Sequence, residues 1–200
     1  MKKYLLLLAT LALVASCTPA NSPTPPPATE TGNASGSVIL SIYADFQCPA
    51  CQATHTTVVP IFEQYAHAGK LKIEYRQYPL THIHKNAMDD ALAALCAADQ
   101  GKYDAYANEL YTMESTKNGA TVSNQERIAL AANVALDTDA FSTCLNNKVF
   151  EDQVKADIAL GDSLGVPGTP TFFLDGKRLD MTAFSDAEGL KKFLDQVLAQ

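Results

Sequence analysis

The chain of 200 residues contains no tryptophan and only four histidines, and its 15 Lys and Arg are outnumbered by 22 Asp and Glu, for a formal charge of -7. The basic residues form no cluster, so the positive patch that a nucleic-acid backbone requires is missing. No apolar run is long enough to span a bilayer comfortably, which takes about 20 residues; the run from Tyr4 to Val14 falls well short. No internal repeat divides the chain, and its length suits one domain of ordinary size. Hydrophobic residues make up 47% of it, enough to bury a real core.

The Tyr4–Val14 run follows Lys2 and Lys3, a positive n-region, and has the length of a secretory h-region. It leads into "VASC", residues 14–17. Small residues directly before a cysteine resemble a bacterial lipobox, with cleavage ahead of Cys17 and lipid on its sulfur. An ordinary signal peptide that happens to end near a cysteine is the alternative. Residues 1–16 read as a lipoprotein signal peptide, and their removal takes the charge to -9. "TPANSPTPPPATETGNASGS", residues 18–37, cannot bury a core. With Cys17 it reads as a Pro-rich flexible tether over 17–37, holding a domain at 38–200 up to about 50 Å from a membrane.

The domain opens with "SVILSIYADF", a nearly continuous apolar stretch with β-branched residues, which predicts a buried central strand. A helix follows directly. Pro49 fits its first turn, Pro60 forces a break, and Gly69 ends the segment. "LKIEYRQY" alternates, with Leu71, Ile73 and Tyr75 facing one way and Lys72, Glu74 and Arg76 the other. From about residue 84 to 164 the spacing is helical: Ala87, Ala91, Leu92, Leu95 and Cys96 first, then residues 103–113. Ser123 to Glu126 forms a capping box, and two more helices cover 139–146 and 149–164. "TFFLDGKRL" predicts a hairpin turning at Asp175-Gly176. Ser185 to Glu188 reads as a second capping box, ahead of a helix with Leu190, Phe193, Leu194, Val197 and Leu198 on one face. The fold class is α/β, with a helical insertion between a β-α-β half and a β-β-α half.

The chemistry gathers in "DFQCPAC", residues 45–51. Two cysteines three apart fit a disulfide staple, half of a metal site, or a pair that exchanges electrons. At a helix N-terminus Cys48 meets unpaired N–H groups and the positive end of the macrodipole, and both favour its thiolate. A free thiol is only about 3% ionised at pH 7. A pKa lowered by roughly two or three units would make Cys48 mostly anionic. Cys51, one turn deeper, is better shielded and stays a thiol. That division suits disulfide exchange, with Cys48 as the exposed, nucleophilic sulfur and Cys51 as the resolving one. A stabilised Cys48 thiolate favours the reduced form, which makes the pair more oxidising.

"FQCPAC" after a buried strand, together with "GTPTFF" at residues 168–173 before a late strand, resembles the DsbA-like thiol-disulfide oxidoreductases of the thioredoxin superfamily. The order of elements matches as well, and the resemblance covers residues 38 to 199. A lone C-x-x-C is a weak signal, whereas C-P-x-C at a strand-to-helix junction with a distant T-P is a strong one. The resemblance implies a thioredoxin-like fold, a redox-active disulfide in place of any cofactor or metal, and a cis bond between Thr169 and Pro170 lying against the pair. Cis bonds are largely confined to X-Pro. One here would turn the Thr169 backbone outward, so that an unfolded chain adds to it as a strand. Pro49 and Ala50, between the cysteines, would face the same substrate. Two positions depart from the family. Ile42 stands six before Cys48, where relatives carry an acid that assists proton transfer to the buried thiol. Ala50 stands where DsbA has a histidine that depresses the thiol pKa, which implies a milder oxidant. Asp45 lies nearer, with helix capping as its plain reading.

Relatives often carry cysteines near Cys96 and Cys144, and in an oxidising compartment these two are read as a disulfide across the insertion. Such a loop contributes about 4 kcal/mol in the chain-entropy model. Two separate buried thiols are the alternative. His55 would complete a three-ligand corner with Cys48 and Cys51, but a polar helix residue near the surface fits it better. His82 and His84 in "THIHK" read as structural or capping residues, and His67 as a helix C-terminal cap. The expectation is an extracytoplasmic thiol-disulfide oxidoreductase, lipid-anchored to a bacterial membrane. It would act on unfolded or partly folded exported proteins, in the oxidase direction, and be recycled by a membrane redox partner. The rivals are a reductase or isomerase of the same fold, a metal-binding or delivery protein using the Cys pair, and a chaperone module that holds peptides.

Overall fold

A computed structural model describes residues 28–31, 38–184 and 186–199. The signal peptide, the lipidation site Cys17, most of the tether, and Ser185 lie outside the described residues.

Strands β1 (Thr29–Thr31), β2 (Val38–Ala44), β3 (Leu71–Gln77), β4 (Thr171–Leu174) and β5 (Lys177–Arg178) form one sheet in the order β1-β3-β2-β4-β5. The apolar stretch expected at the centre is there: β2 runs parallel to β3 and antiparallel to β4. Leu40 pairs with Ile73 and Leu174, and Ile42 with Tyr75 and Phe172, so the alternation places these side chains on one face. Leu40, Ile42, Ile73 and Phe172 are all buried. Each such side chain contributes about 1.5–3 kcal/mol by leaving water. The break at Pro60 is the junction of α1 (Pro49–Thr57) and α2 (Val59–His67), and Phe62 of α2 stacks on Phe172 with ring centroids 5.7 Å apart.

Helices α3 (Ala87–Asp99), α4 (Tyr103–Lys117), α5 (Asn124–Asn133), α6 (Thr138–Asn146) and α7 (Glu151–Ser163) make up the insertion. Ser123 and Glu126 form the capping box of α5. A disulfide joins Cys96 of α3 to Cys144 of α6, with Cα atoms 5.9 Å apart. After the insertion β4 and β5 turn at Asp175 and Gly176, both at positive φ, the geometry that matches the twist of a hairpin. The last helix, α8 (Ala187–Val197), does not start from the expected Ser185–Glu188 capping box: its N-cap is Asp186, whose carboxylate accepts from the Gly189 N–H, and it buries Leu190 and Leu194. The core is thus the expected α/β arrangement, thioredoxin-like, with a helical block before the β-β-α end.

Two further features go beyond the sequence reading. Thr29–Thr31 falls within the segment read as tether, yet it pairs antiparallel with β3, Thr29 opposite Tyr75 and Thr31 opposite Ile73. It covers an edge that would otherwise present unpaired backbone groups. Arg76 lies with Glu74 on the second face of β3, as the alternation has it, and that face is covered as well. Arg76 is 6% exposed, because α7 packs on that second face and Asp157 accepts from Arg76 Nη1 at 3.1 Å and from the Gln77 N–H at 3.0 Å. The close approach of α7 depends on Gly161: a Cβ there would meet Tyr78 Cε2 at 2.6 Å and Tyr43 Cε1 at 3.1 Å. Gly161→Ala is therefore expected to destabilise the fold by about 1–3 kcal/mol, although alanine is the better helix former by about 1 kcal/mol. A urea unfolding midpoint at or above that of the wild type would show that α7 has room to spare.

Candidate active site

Cys48 is the N-cap residue of α1, extended at φ -77 and ψ 120, and Pro49 takes the first helical position. The chain leaves β2 through a turn in which the Cys48 N–H donates to the Asp45 carbonyl at 3.1 Å. The sulfur so placed reaches the other half of the molecule, and Cys48 Sγ donates to the Thr169 carbonyl at 3.3 Å. The Thr169–Pro170 bond is cis. Chain segments 121 residues apart thus meet at one thiol. Pro49 and Ala50, between the two cysteines, are exposed.

Both thiols are free, and their surroundings set them apart. Cys48 is held down to about 5, first by a hydrogen bond from the Cys51 thiol, then by the Thr169 side chain and the N–H groups of Cys51 and Ala50, against the opposing effect of burial. Cys51 is pushed far up, first by burial and then by its bond to Cys48. The Thr169 hydroxyl is buried without a hydrogen-bond partner, a situation that an ionised Cys48 beside it would relieve. One expectation needs correcting. Cys48 is the more accessible sulfur, but at 8% exposure against 2% for Cys51 it is itself buried, because the Thr169–Pro170 loop lies over it.

The surroundings of Asp45 were not legible beforehand. Asp45 does not cap α1. Its Oδ1 accepts from the Gln47 N–H, its Oδ2 accepts from the Leu80 N–H, and His84 Nδ1 lies 2.7 Å from Oδ2. The spacing from Asp45 to the Gln47 N–H is that of an Asx-turn, the one local signal that could have revealed it. His55 turns away from the sulfurs; its Nε2 lies 2.7 Å from Asn108 Oδ1 and its ring lies against Tyr111. His67 stands in the last turn of α2, and His82 is exposed. Among the described residues no three His, Cys, Asp or Glu side chains gather where they could hold a metal ion. The arrangement offers a pair of thiols, and a pair so placed at the start of a helix is positioned to form a redox-active disulfide. The chemistry it serves is thiol-disulfide exchange.

Fold and site together define a thioredoxin-fold oxidoreductase with a helical insertion. A family model described as thioredoxin matches residues 25–196, and the chain belongs to that family. It is 24% identical over 159 residues to a probable disulfide bond formation protein D of Bacillus anthracis, covering 78% of this chain and 71% of that one. It is 30% identical over 136 residues to a Na(+)/H(+) antiporter NhaA 3 of Salinispora tropica, of which it spans only 20%. In fold it is similar to BdbD from Bacillus subtilis in its oxidised form, with a TM-score of 0.74 at 18% identity, over 86% of this chain and 94% of that one. Among the described residues no helix is long and apolar enough to cross a membrane.

Proposed function

We propose that the protein exchanges disulfides with exported proteins outside the cytoplasm, in the oxidase direction, with Cys48 as the sulfur that forms the mixed disulfide and Cys51 as the one that resolves it when the reduced pair takes up a disulfide. The observation that carries this reading is the split between the two thiols, Cys48 near 5 and Cys51 far above its usual range. In the oxidised form a substrate thiolate attacks Cys48 Sγ, the Cys48–Cys51 bond breaks, and Cys51 leaves as a thiolate and takes up a proton. A second substrate thiolate then attacks the substrate sulfur of the mixed disulfide. Cys48 departs as a stable thiolate, the substrate has lost two electrons, and the pair has gained them. A low leaving-group pKa speeds that departure and stabilises the reduced product, so the pair is a net oxidant.

Substrate recognition would use Thr169 and the exposed Pro49-Ala50 dipeptide. Once Cys48 ionises, the Thr169 carbonyl loses its S–H donor and is available to the N–H of an extended peptide. Beside Pro170 an apolar groove of about 370 Å³, lined by Val58, Ile61, Phe172, Met181, Phe184 and Leu190, could take a substrate side chain. The disulfide between Cys96 and Cys144 supports an oxidising compartment. The lipid anchor on Cys17, the tether and a membrane redox partner belong to the same reading, as does the name of the Bacillus anthracis relative.

Equilibration of the Cys48–Cys51 pair with glutathione tests the direction. The expected potential is well above the value of about -270 mV that marks thioredoxin. A value at or below that of thioredoxin would make the protein a reductase of the same fold.

A further inference from the structure

Asp45 holds both active cysteines through its own peptide groups. Its carbonyl accepts from the Cys48 N–H at 3.1 Å, and its N–H donates to Cys51 Sγ at 3.5 Å. The side chain of the same residue is fully buried and held at both oxygens. Gln47 N–H reaches Oδ1 at 2.8 Å, and Leu80 N–H reaches Oδ2 at 2.8 Å. The third contact is His84 Nδ1, at 2.7 Å from Oδ2. A carboxylate only accepts, so Nδ1 carries the proton of that bond. Of these three donors only His84 contributes a side chain, and at 16% exposure that side chain can be changed without opening the core.

Cys51 is 2% exposed, and its burial is the first obstacle to ionising it. When the reduced pair takes up a disulfide, Cys48 attacks first and forms a mixed disulfide; in the resolving step that follows, the Cys51 thiol gives its proton to water and its sulfur attacks Cys48 Sγ. The Cys48–Cys51 bond forms, the bond to the outgoing sulfur breaks, and that sulfur leaves as a thiolate and is protonated in solvent. Burial opposes the transient Cys51 thiolate, and the Asp45 N–H is a donor that favours it. We propose that His84 is a positioning residue for this step: by holding the Asp45 carboxylate it fixes the peptide whose N–H steadies the Cys51 sulfur as charge develops. The inference rests on the reading of Cys48 as the entering sulfur and Cys51 as the resolving one.

Oxidised glutathione is a suitable probe, because it separates two steps on the reduced full-length protein. Attack by Cys48 forms a mixed disulfide and releases one glutathione; attack by Cys51 releases the second and leaves the pair oxidised. Quenched-flow mass spectrometry follows both. His84→Ala is expected to slow the second release about tenfold, or about 1.4 kcal/mol of barrier, and to alter the first by less than threefold. His84→Asn, whose Nδ2 can donate from the place of the imidazole Nδ1, is expected to stay within threefold of the wild type in both. A residue that merely clips the loop would slow both steps together or neither, and either result overturns the proposal. So does an Asn variant as slow as the Ala variant. If the wild type itself releases the second glutathione no faster than Cys51→Ala, Cys51 is not the resolving sulfur and the underlying reading falls too. A normal wild type with an unchanged His84→Ala sinks this inference alone.

Discussion

Cys48→Ser is expected to lower the rate of peptide oxidation by a factor of about a thousand or more, because a hydroxyl can neither form the disulfide nor replace a thiolate as nucleophile. Cys51→Ala should lose turnover as well, but it keeps the reactive sulfur: Cys48 attacks an added disulfide such as oxidised glutathione, releases one thiol, and stays trapped as the mixed disulfide, visible by mass spectrometry. The pH dependence separates the two sulfurs. Alkylation of the reduced protein by iodoacetamide should modify Cys48 with a half-maximal rate near pH 5, and leave Cys51 untouched until the fold is opened. Linkage gives a further sign. The folded pKa of Cys48 lies below its unfolded value of about 8.5, so its ionisation stabilises the reduced fold fully above that value and is lost as pH falls through about 5. Cys51 is neutral at pH 7 in both the folded and unfolded chain and adds nothing there. The reduced protein should therefore melt above the oxidised protein at pH 7, and the advantage should shrink toward pH 5. A Cys48 that alkylates with a midpoint near 8.5, or an oxidised form that melts higher at pH 7, would remove the basis for an oxidase.

What the sequence disclosed is what short periods can carry. Alternation in Leu71–Tyr75 and the apolar run of Val38–Ala44 announced a parallel pair, and Asp175-Gly176 announced a hairpin. The cysteine pair was legible because much of what holds the Cys48 thiol down, the Cys51 thiol and the N–H groups of Ala50 and Cys51, lies within one helical turn. The remainder depends on contacts between distant segments. Arg76 alternates away from Tyr75, and nothing near it in the sequence shows that α7, 81 residues later, brings Asp157 over it. Asp45 looks like a cap until Leu80 and His84 meet it. Cys48 looks exposed until Thr169 arrives. Thr29–Thr31 is three residues long and set in a Pro-rich stretch, so neither length nor composition marks it as a strand; only the open edge of β3 does.

Arg127 and Asp90 belong to the same hidden set, and their separation is expected to have the largest effect on stability. Both sit in helices that read as ordinary amphipathic segments, yet Arg127 is 1% exposed and Asp90 wholly buried. Arg127 Nε donates to Asp90 Oδ1 at 2.9 Å, Nη2 lies 2.7 Å from the same oxygen, and Nη1 donates to the Val122 carbonyl at 2.9 Å. The network runs on through Asn86, whose N–H donates to Gln47 Oε1 at 2.9 Å, directly before Cys48. Arg127→Met leaves a charge buried with no counter-charge, and Asp90 Oδ2 has no hydrogen-bond partner to begin with. Removing one partner of a buried pair destabilises by about 3–5 kcal/mol, whereas replacing both by apolar residues of similar size can be nearly neutral. Urea unfolding should show that loss for Arg127→Met and a smaller one for Arg127→Met with Asp90→Leu. The sign with pH follows from Asp90. Burial pushes its carboxyl well above the usual range, opposed by the Arg127 guanidinium and reinforced by Glu114. Without the guanidinium, the raised folded pKa means that the fold binds the proton more tightly than the unfolded chain does. The penalty is then smallest below about pH 4, the unfolded value, and grows as pH rises toward the folded one. A loss under about 1 kcal/mol at pH 7, or one that deepens in acid, would mean that Asp90 is balanced by something other than Arg127, since an unpaired buried carboxylate requires the opposite trend.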